Sequence, residues 1–75
     1  MPKATRFSRY TFGRAVRRER ESLGLSQEDF AERADVHRTY VSSIELGKVS
    51  VGIEVANNLA AALGIRLSEL VRRAE

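Results

Sequence analysis

The 75-residue sequence has no cysteine, one proline and only five aromatic residues, three Phe and two Tyr. Without cysteine there is no disulfide framework and no thiolate metal site, which favours a reducing compartment such as the cytoplasm. No apolar run approaches the ~20 residues that a membrane-spanning helix needs, and the basic N-terminus lacks the apolar segment of a secretory signal. A single His and no recognisable pair of acids leave little chemistry for catalysis. We therefore expect a cytoplasmic protein that is not an enzyme and that holds no cofactor or metal.

Positive charge is concentrated at one end of the chain. Residues 1–20 contain seven Lys or Arg against one acid, whereas residues 21–75 contain six against nine acids. Basic segments often bind nucleic acid by neutralising phosphates and releasing counterions, but a short charged tail is equally often just solvated. The charge pattern alone leaves both interpretations open.

Residues 9–75 are predicted to form one all-α domain, a compact bundle of about five helices preceded by a flexible basic arm over residues 1–8. Helix formers such as Ala, Leu, Glu and Arg dominate. Apolar residues spaced three and four apart predict helices over about 9–23, 26–34, 37–47, 53–63 and 67–71. Ser26 is a candidate N-cap and Asp29 follows it by three residues, as in a capping box. The residues expected to face inward include Phe12, Ala15, Val16, Phe30, Ala31, Ala34, Val36, Val41, Ile44, Ile53, Ala56, Leu59, Ala60 and Leu63.

The second and third predicted helices are short and are joined by only a few residues. This arrangement within a bundle is a helix-turn-helix, in which the second of the two helices enters the major groove of DNA. Its outward side carries four hydrogen-bonding side chains of a length that reaches base edges: Arg38, Thr39, Ser42 and Ser43. A helix exposed only for solubility more often carries Glu and Lys pairs. We therefore expect this helix to read bases in double-stranded DNA.

Arg38 is the strongest candidate for base readout. Its planar guanidinium matches O6 and N7 of guanine, a contact that discriminates between bases by about 1–3 kcal/mol. The alternative is a clamp on a phosphate, which would carry no sequence information.

The segments GLSQEDFA at 24–31, VHRTYV at 36–41, IELG at 44–47 and LAAALGI at 59–65 resemble the phage-repressor (Cro-type) helix-turn-helix family. The resemblance covers roughly residues 13–71 and implies a lambda-repressor-like DNA-binding domain. Within that family, HRTYVSSIE at 37–45 is similar to the small controller proteins of restriction-modification systems, which are dimeric regulators of about this size.

The resemblance also implies roles for individual residues. Gln27 would bond a DNA phosphate and brace the base-reading helix, and Thr39 and Ser43 would contact bases. Arg20 and Glu45 would form a partly buried ion pair that ties the first helix to the end of the third. Further phosphate contacts are expected from His37, Tyr40, Lys48 and Arg14. For two of these an alternative stays open, since a histidine at this position more often caps the helix, and Tyr40 is equally suited to pack its ring beneath it.

Three residues depart from the family pattern. Asp35 replaces the usual Gly of the turn, which is tolerable because Asp can adopt left-handed backbone angles at some cost in stability. Glu19 stands where an apolar core residue is usual, so the packing of the first helix is in doubt. Gly52 replaces a Ser or Thr cap, which costs only a few tenths of a kcal/mol.

The two ends of the chain suggest further contacts. Cations of the N-terminal region, namely Lys3, Arg6, Arg9 and Arg14, would follow phosphates or enter a minor groove, or else belong to a disordered tail. At the other end, the apolar residues Ile65, Leu67, Leu70 and Val71 predict a two-fold homodimer, with packing inside the monomer as the alternative.

The sequence thus predicts a homodimeric transcriptional regulator that binds a roughly palindromic operator in double-stranded DNA. We expect neither a membrane contact nor a small-molecule effector. The alternative is an antitoxin-like protein-interaction module that neutralises a partner protein and regulates its own gene.

Overall fold

Five α-helices make up the chain in a computed structural model that describes residues 6–75. They are α1 (Arg9–Ser22), α2 (Gln27–Ala34), α3 (Arg38–Glu45), α4 (Ile53–Ala62) and α5 (Leu67–Arg73). No strand occurs in this part of the chain, and the predicted all-α class is confirmed. None of these helices combines the length and apolar character needed to cross a membrane. Lys3 of the predicted arm lies outside the described residues.

The core lies where the helices meet, and each helix contributes a stripe of side chains at helical spacing. Helix α3 packs against α1 and α2, α4 packs against α2 and α5, and α5 returns to α1. The buried apolar residues are Phe12, Ala15, Val16, Phe30, Ala31, Ala34, Val41, Ile44, Ala56, Leu59, Ala60, Leu63, Leu70 and Ala74.

Three predictions about burial need correction. Ile53 was expected to face inward, but it is 76% exposed: it is the first residue of α4 and lies about one turn before the buried Ala56. Val36 is only half-buried, at the edge of the core. Leu70 was assigned to a dimer interface, yet its side chain is 0% exposed and is enclosed within the monomer. Leu70 therefore has no surface to offer a second chain.

Local capping fixes where the first two helices begin and how the turn between α2 and α3 is made. Ser8 and Thr11 form a reciprocal capping box at α1. The sequence contains the spacing for this cap, but we did not predict it. Ser26 caps α2 by accepting the N–H of Asp29 over 3.0 Å. Asp35 ends α2 with φ 57° and ψ 45°, the left-handed conformation expected of it. Only three residues, 35–37, then separate α2 from α3.

Glu19 does not disturb the core, because its carboxylate lies at the boundary between α1 and α5. It accepts a hydrogen bond from Nη1 of Arg73 over 2.6 Å, while Nη2 of Arg18 donates to the Arg73 carbonyl over 3.0 Å. Arg73 and Arg72 also donate to Glu69, and these hydrogen bonds lower the pKa of Glu69. The ion pair between Glu19 and Arg73 thus joins α5 to α1 at a position where the family pattern has an apolar residue.

Gly13 permits a direct approach of two backbones. A Cβ at this position would collide with the carbonyl oxygen of Ile44, near the C-terminal end of α3. Gly13 lies within α1 and is buried. The backbone of α3 occupies the place that a side chain at this position would need. The absence of a side chain here sets how closely α1 and α3 approach.

We predict that Gly13→Ala destabilises the domain, although Ala is normally favoured over Gly inside a helix by about 1 kcal/mol. Overpacking against a backbone oxygen should lower the free energy of unfolding by about 1–3 kcal/mol, measured by urea denaturation. Gly52→Ala is the control for an added methyl group in open space, because a Cβ there meets nothing within 4 Å, and it should cost only the weaker N-cap that Ala gives α4. Equal stability of the Gly13→Ala and wild-type proteins would contradict this packing.

Candidate nucleic-acid interface

The outward face of α3 presents the four polar side chains that the sequence singled out. Arg38 and Thr39 are exposed, and Ser42 and Ser43, one turn later, are half-buried. The opposite face carries Val41, Ile44 and Glu45, which are all buried. Positions i, i+1, i+4 and i+5 share one side of a helix, so the four polar residues form a continuous strip. This polar strip is the candidate base-reading surface.

Arg38 opens α3 and forms no ion pair with any of the described residues. Its guanidinium therefore remains free to engage a ligand from the first turn of the helix. In the helix-turn-helix geometry, it is the N-terminal part of the second helix that contacts base edges. The position of Arg38 agrees with the predicted role in base readout.

His37 caps α3, which is one of the two roles considered for it. Its Nδ1 accepts the backbone N–H of Thr39 over 3.3 Å and lies 2.9 Å from the Thr39 hydroxyl oxygen. In the tautomer in which Nδ1 accepts the backbone hydrogen, the Thr39 hydroxyl is the donor in the second contact. The oxygen of Thr39 therefore keeps its capacity to accept a hydrogen bond, for example from a base amino group.

Behind the polar strip, a buried ion pair fixes α3. Arg20 donates from Nε and Nη2 to the two carboxylate oxygens of Glu45 over 2.7 and 3.0 Å. The side chains of Arg20 and Glu45 are only 10% and 3% exposed. The hydrogen bond to Glu45 raises the pKa of Arg20, so the guanidinium stays charged. The ion pair implied by the family resemblance is present in the structure.

Two further bonds complete the environment of this pair. Arg20 donates from Nη1 to the carbonyl oxygen of Leu25 over 2.7 Å, just before α2. Gln27 donates from Nε2 to Glu45 over 3.0 Å. The amide nitrogen of Gln27 carries a second hydrogen, so bracing Glu45 leaves a donor available for a DNA phosphate. Gln27 is therefore placed to serve both of its predicted roles.

The remaining predicted phosphate contacts lie on different elements. Lys48 is exposed immediately after α3, and Arg14 is exposed on α1. Tyr40 is half-buried and packs against the core, which agrees with the alternative of a ring beneath the helix.

An apolar groove lies apart from the polar strip, between the start of α1, the loop before α4, and α5. Its volume is about 360 Å³. The apolar side chains that line it are Phe7, Phe12, Val51, Ile53, Ala56, Leu67 and Val71. Of the residues predicted to mediate dimerisation, Leu67 and Val71 are therefore in the groove, whereas half-buried Ile65 is not among its lining residues.

Residues 16–70 match a family model described as Helix-turn-helix. The chain belongs to the helix-turn-helix family. Control protein C.MunI from Mycoplasma sp is 48% identical to it over 60 residues, 79% of this chain and 81% of the relative. Control protein C.BamHI from Bacillus amyloliquefaciens is 39% identical over 64 residues, 84% of this chain and 79% of the relative.

A solved structure agrees with these relatives. The restriction-modification controller protein C.AhdI from Aeromonas hydrophila superposes with a TM-score of 0.80 at 37% identity, over 83% of this chain and 94% of that chain. The predicted lambda-repressor-like fold and the similarity to controller proteins are thereby confirmed. Membership of the family makes this chain a DNA-binding regulator of transcription.

Sequence reasoning missed two contributors to this interface. Gly13 sets the approach of α1 to α3, and Arg9, which we grouped with the cations of the N-terminal region, bonds to the carbonyl of Gly47. A glycine inside a predicted helix was the available signal for Gly13. No local signal distinguishes Arg9 from its neighbouring cations, because its partner is 38 residues away.

We predict that Arg20 and Glu45 contribute to stability as a unit. Glu45→Leu should lower the free energy of unfolding by about 3 kcal/mol, because it leaves the Arg20 charge buried and unpaired. The double variant Arg20→Met/Glu45→Leu should be less destabilised than Glu45→Leu alone, as measured by urea denaturation. If the losses of unfolding free energy in Arg20→Met and in Glu45→Leu simply added in the double variant, the two charges would act independently.

Proposed function

We propose that this protein is a sequence-specific regulator of transcription that binds a roughly palindromic operator in double-stranded DNA as a homodimer. The observation that carries the proposal is the polar strip of α3, held outward by the buried contact between Arg20 and Glu45. Similarity to controller proteins supports the further proposal that it controls a restriction-modification system. We place it in the cytoplasm, where such a regulator meets DNA.

Direct readout would be divided among the residues of the strip. Arg38 offers two parallel N–H donors to guanine, and Thr39 offers an acceptor together with a methyl group that suits the thymine methyl. The shorter side chains of Ser42 and Ser43 sit deeper and would contact bases through bridging water. Donors from Gln27, Lys48, Arg14, Tyr40 and His37 would fix the register of the protein on phosphates.

The proposed dimer would form through the apolar groove. A two-fold interface uses the same patch on both subunits, so a protruding side chain beside a groove makes a surface self-complementary. Ile53 is 76% exposed at the rim of this groove. In a domain of this size, burying such a surface would also add to a limited core.

We predict that Arg38→Ala loses discrimination between operator and random DNA. Sites selected from a random pool with the wild-type protein provide the operator, and binding is then titrated at several salt concentrations. The preference for the operator should fall by about 1–3 kcal/mol because a bidentate base contact is lost.

Arg33→Ala is the matched control for this experiment, since Arg33 is exposed on α2 and lies outside the polar strip. It should lower the affinity for both DNAs slightly and equally. If Arg38→Ala behaved in the same way, Arg38 would be a phosphate contact and not a base reader.

We predict that Ile53→Asp prevents dimerisation, because the substitution places a charge in an apolar interface. Sedimentation equilibrium should show monomers at concentrations at which the wild-type protein is dimeric, and operator affinity should fall by at least about tenfold as the second half-site contact is lost. Leu23→Asp is the control, since Leu23 is 51% exposed and lies away from the groove. A dimeric Ile53→Asp protein would contradict this interface.

The antitoxin-like alternative assigns the same groove to a different protein. Co-expression with neighbouring genes distinguishes the two. A stoichiometric complex with another gene product, lost in Ile53→Asp, would favour the alternative, whereas a complex of two identical chains favours the proposed regulator.

A further inference from the structure

The C-terminal end of α3 has a second attachment, separate from the ion pair at Glu45. Arg9, the first residue of α1, donates from Nε to the carbonyl oxygen of Gly47 over 2.8 Å. Its guanidinium lies 5.0 Å from the ring centre of Tyr10, and Nη2 donates to the Tyr10 hydroxyl over 3.1 Å. Three contacts therefore orient this exposed cation toward the end of α3.

Gly47 is suited to receive this contact. It has a φ of 72°, a left-handed conformation that favours glycine, and it is buried. A Cβ there would collide with the ring of Tyr10. Around it, the backbone N–H of Gly47 donates to the carbonyl oxygen of Ile44, and the backbone N–H of Lys48 donates to the carbonyl oxygen of Ser43, each over 3.0 Å. The bond from Arg9 thus reaches the turn that terminates α3.

The position of this turn matters because α3 is short. It has only eight residues, and beyond it Leu46 is exposed. A binding site that reads bases needs its side chains held within about 0.5 Å, which requires a support for each part of the helix. Arg20 and Gln27 hold α3 at Glu45, and the contact from Arg9 holds the turn that leads to Lys48.

We propose that Arg9 is a positioning residue for DNA recognition: it orients the end of α3 and Lys48 through the Gly47 carbonyl and does not itself contact a phosphate. This inference rests on the proposed function. The competing role is the one expected of a basic N-terminal segment, in which Arg9 supplies charge to the DNA backbone. The two roles depend on different parts of the side chain, namely the Nε donor and the net charge.

Two substitutions separate the donor from the charge. In Arg9→Gln, the amide nitrogen occupies the same place along the side chain as Nε, so a donor remains while the charge is lost. In Arg9→Lys, a carbon occupies that place, so the charge remains while the donor there is lost. Arg9→Met removes both and provides the baseline.

The first measurement compares affinity for the selected operator with affinity for a random duplex, as a function of salt. Arg9→Met should lower the operator preference on the order of tenfold. Arg9→Gln should recover most of that preference and Arg9→Lys little of it. If Arg9→Met instead lowered the affinity for both DNAs equally, Arg9→Lys restored that affinity, and the salt dependence of Arg9→Gln fell by about 0.9 in slope, Arg9 would be a phosphate contact and the proposal would be overturned.

The second measurement follows hydrogen exchange of the Gly47 and Lys48 amides in the chain without DNA. These amides should exchange several-fold faster in Arg9→Met than in the wild-type protein, and near the wild-type rate in Arg9→Gln, while amides of α4 keep their protection. Unchanged exchange in Arg9→Met would show that the bond from Arg9 does not hold the turn after α3, and the proposal would be overturned. A wild-type protein without any operator preference would instead overturn the proposed function. Hydrogen exchange would still test whether Arg9 holds the turn, because it does not depend on DNA.

Discussion

Arg20 and Glu45 form a bidentate ion pair that is largely shielded from water, and the presentation of α3 depends on it. Charges removed from water are costly unless their hydrogen-bonding groups are satisfied. Here the two carboxylate oxygens accept from Arg20, one of them also accepts from Gln27, and Arg20 has a further acceptor in Leu25. The pair joins α1 to the last residue of α3 and connects both to the start of α2. Its geometry therefore fixes the helix-turn-helix as one unit.

Helix α1 acts as the support against which α3 is placed. Arg9, Gly13 and Arg20 lie four and seven residues apart, so they share one side of α1. Arg9 bonds to the turn after α3, Gly13 admits the backbone of α3, and Arg20 pairs with its last residue. These contacts are polar or made by backbone, and the apolar packing of Val16 lies between them. Helix α3 is thus oriented by directional bonds as well as by the less specific burial of apolar surface.

The departures from the family pattern show how the fold accommodates unusual residues. Asp35 adopts the left-handed angles that a glycine would otherwise provide, as its side chain allows. Glu19 exchanges an apolar contact for an ion pair with Arg73 at the boundary between α1 and α5. Neither alters the position of α3, because Asp35 still provides the tight turn and Glu19 lies on the side that meets α5. Both departures are therefore compatible with an intact polar strip.

Properties that depend on neighbours in the chain could be read from the sequence. The five helices, the cap at Ser26 and the polar strip on α3 follow from spacing and side-chain chemistry within a few residues. The family resemblance added the pairing of Arg20 with Glu45. Burial of Leu70, exposure of Ile53 and the bond from Arg9 to Gly47 were decided by packing between distant segments. The helical period in a sequence defines the apolar face of each helix. Only the arrangement of the helices determines which residues at the edge of that face are covered, and which distant backbone group a long side chain such as that of Arg9 can reach.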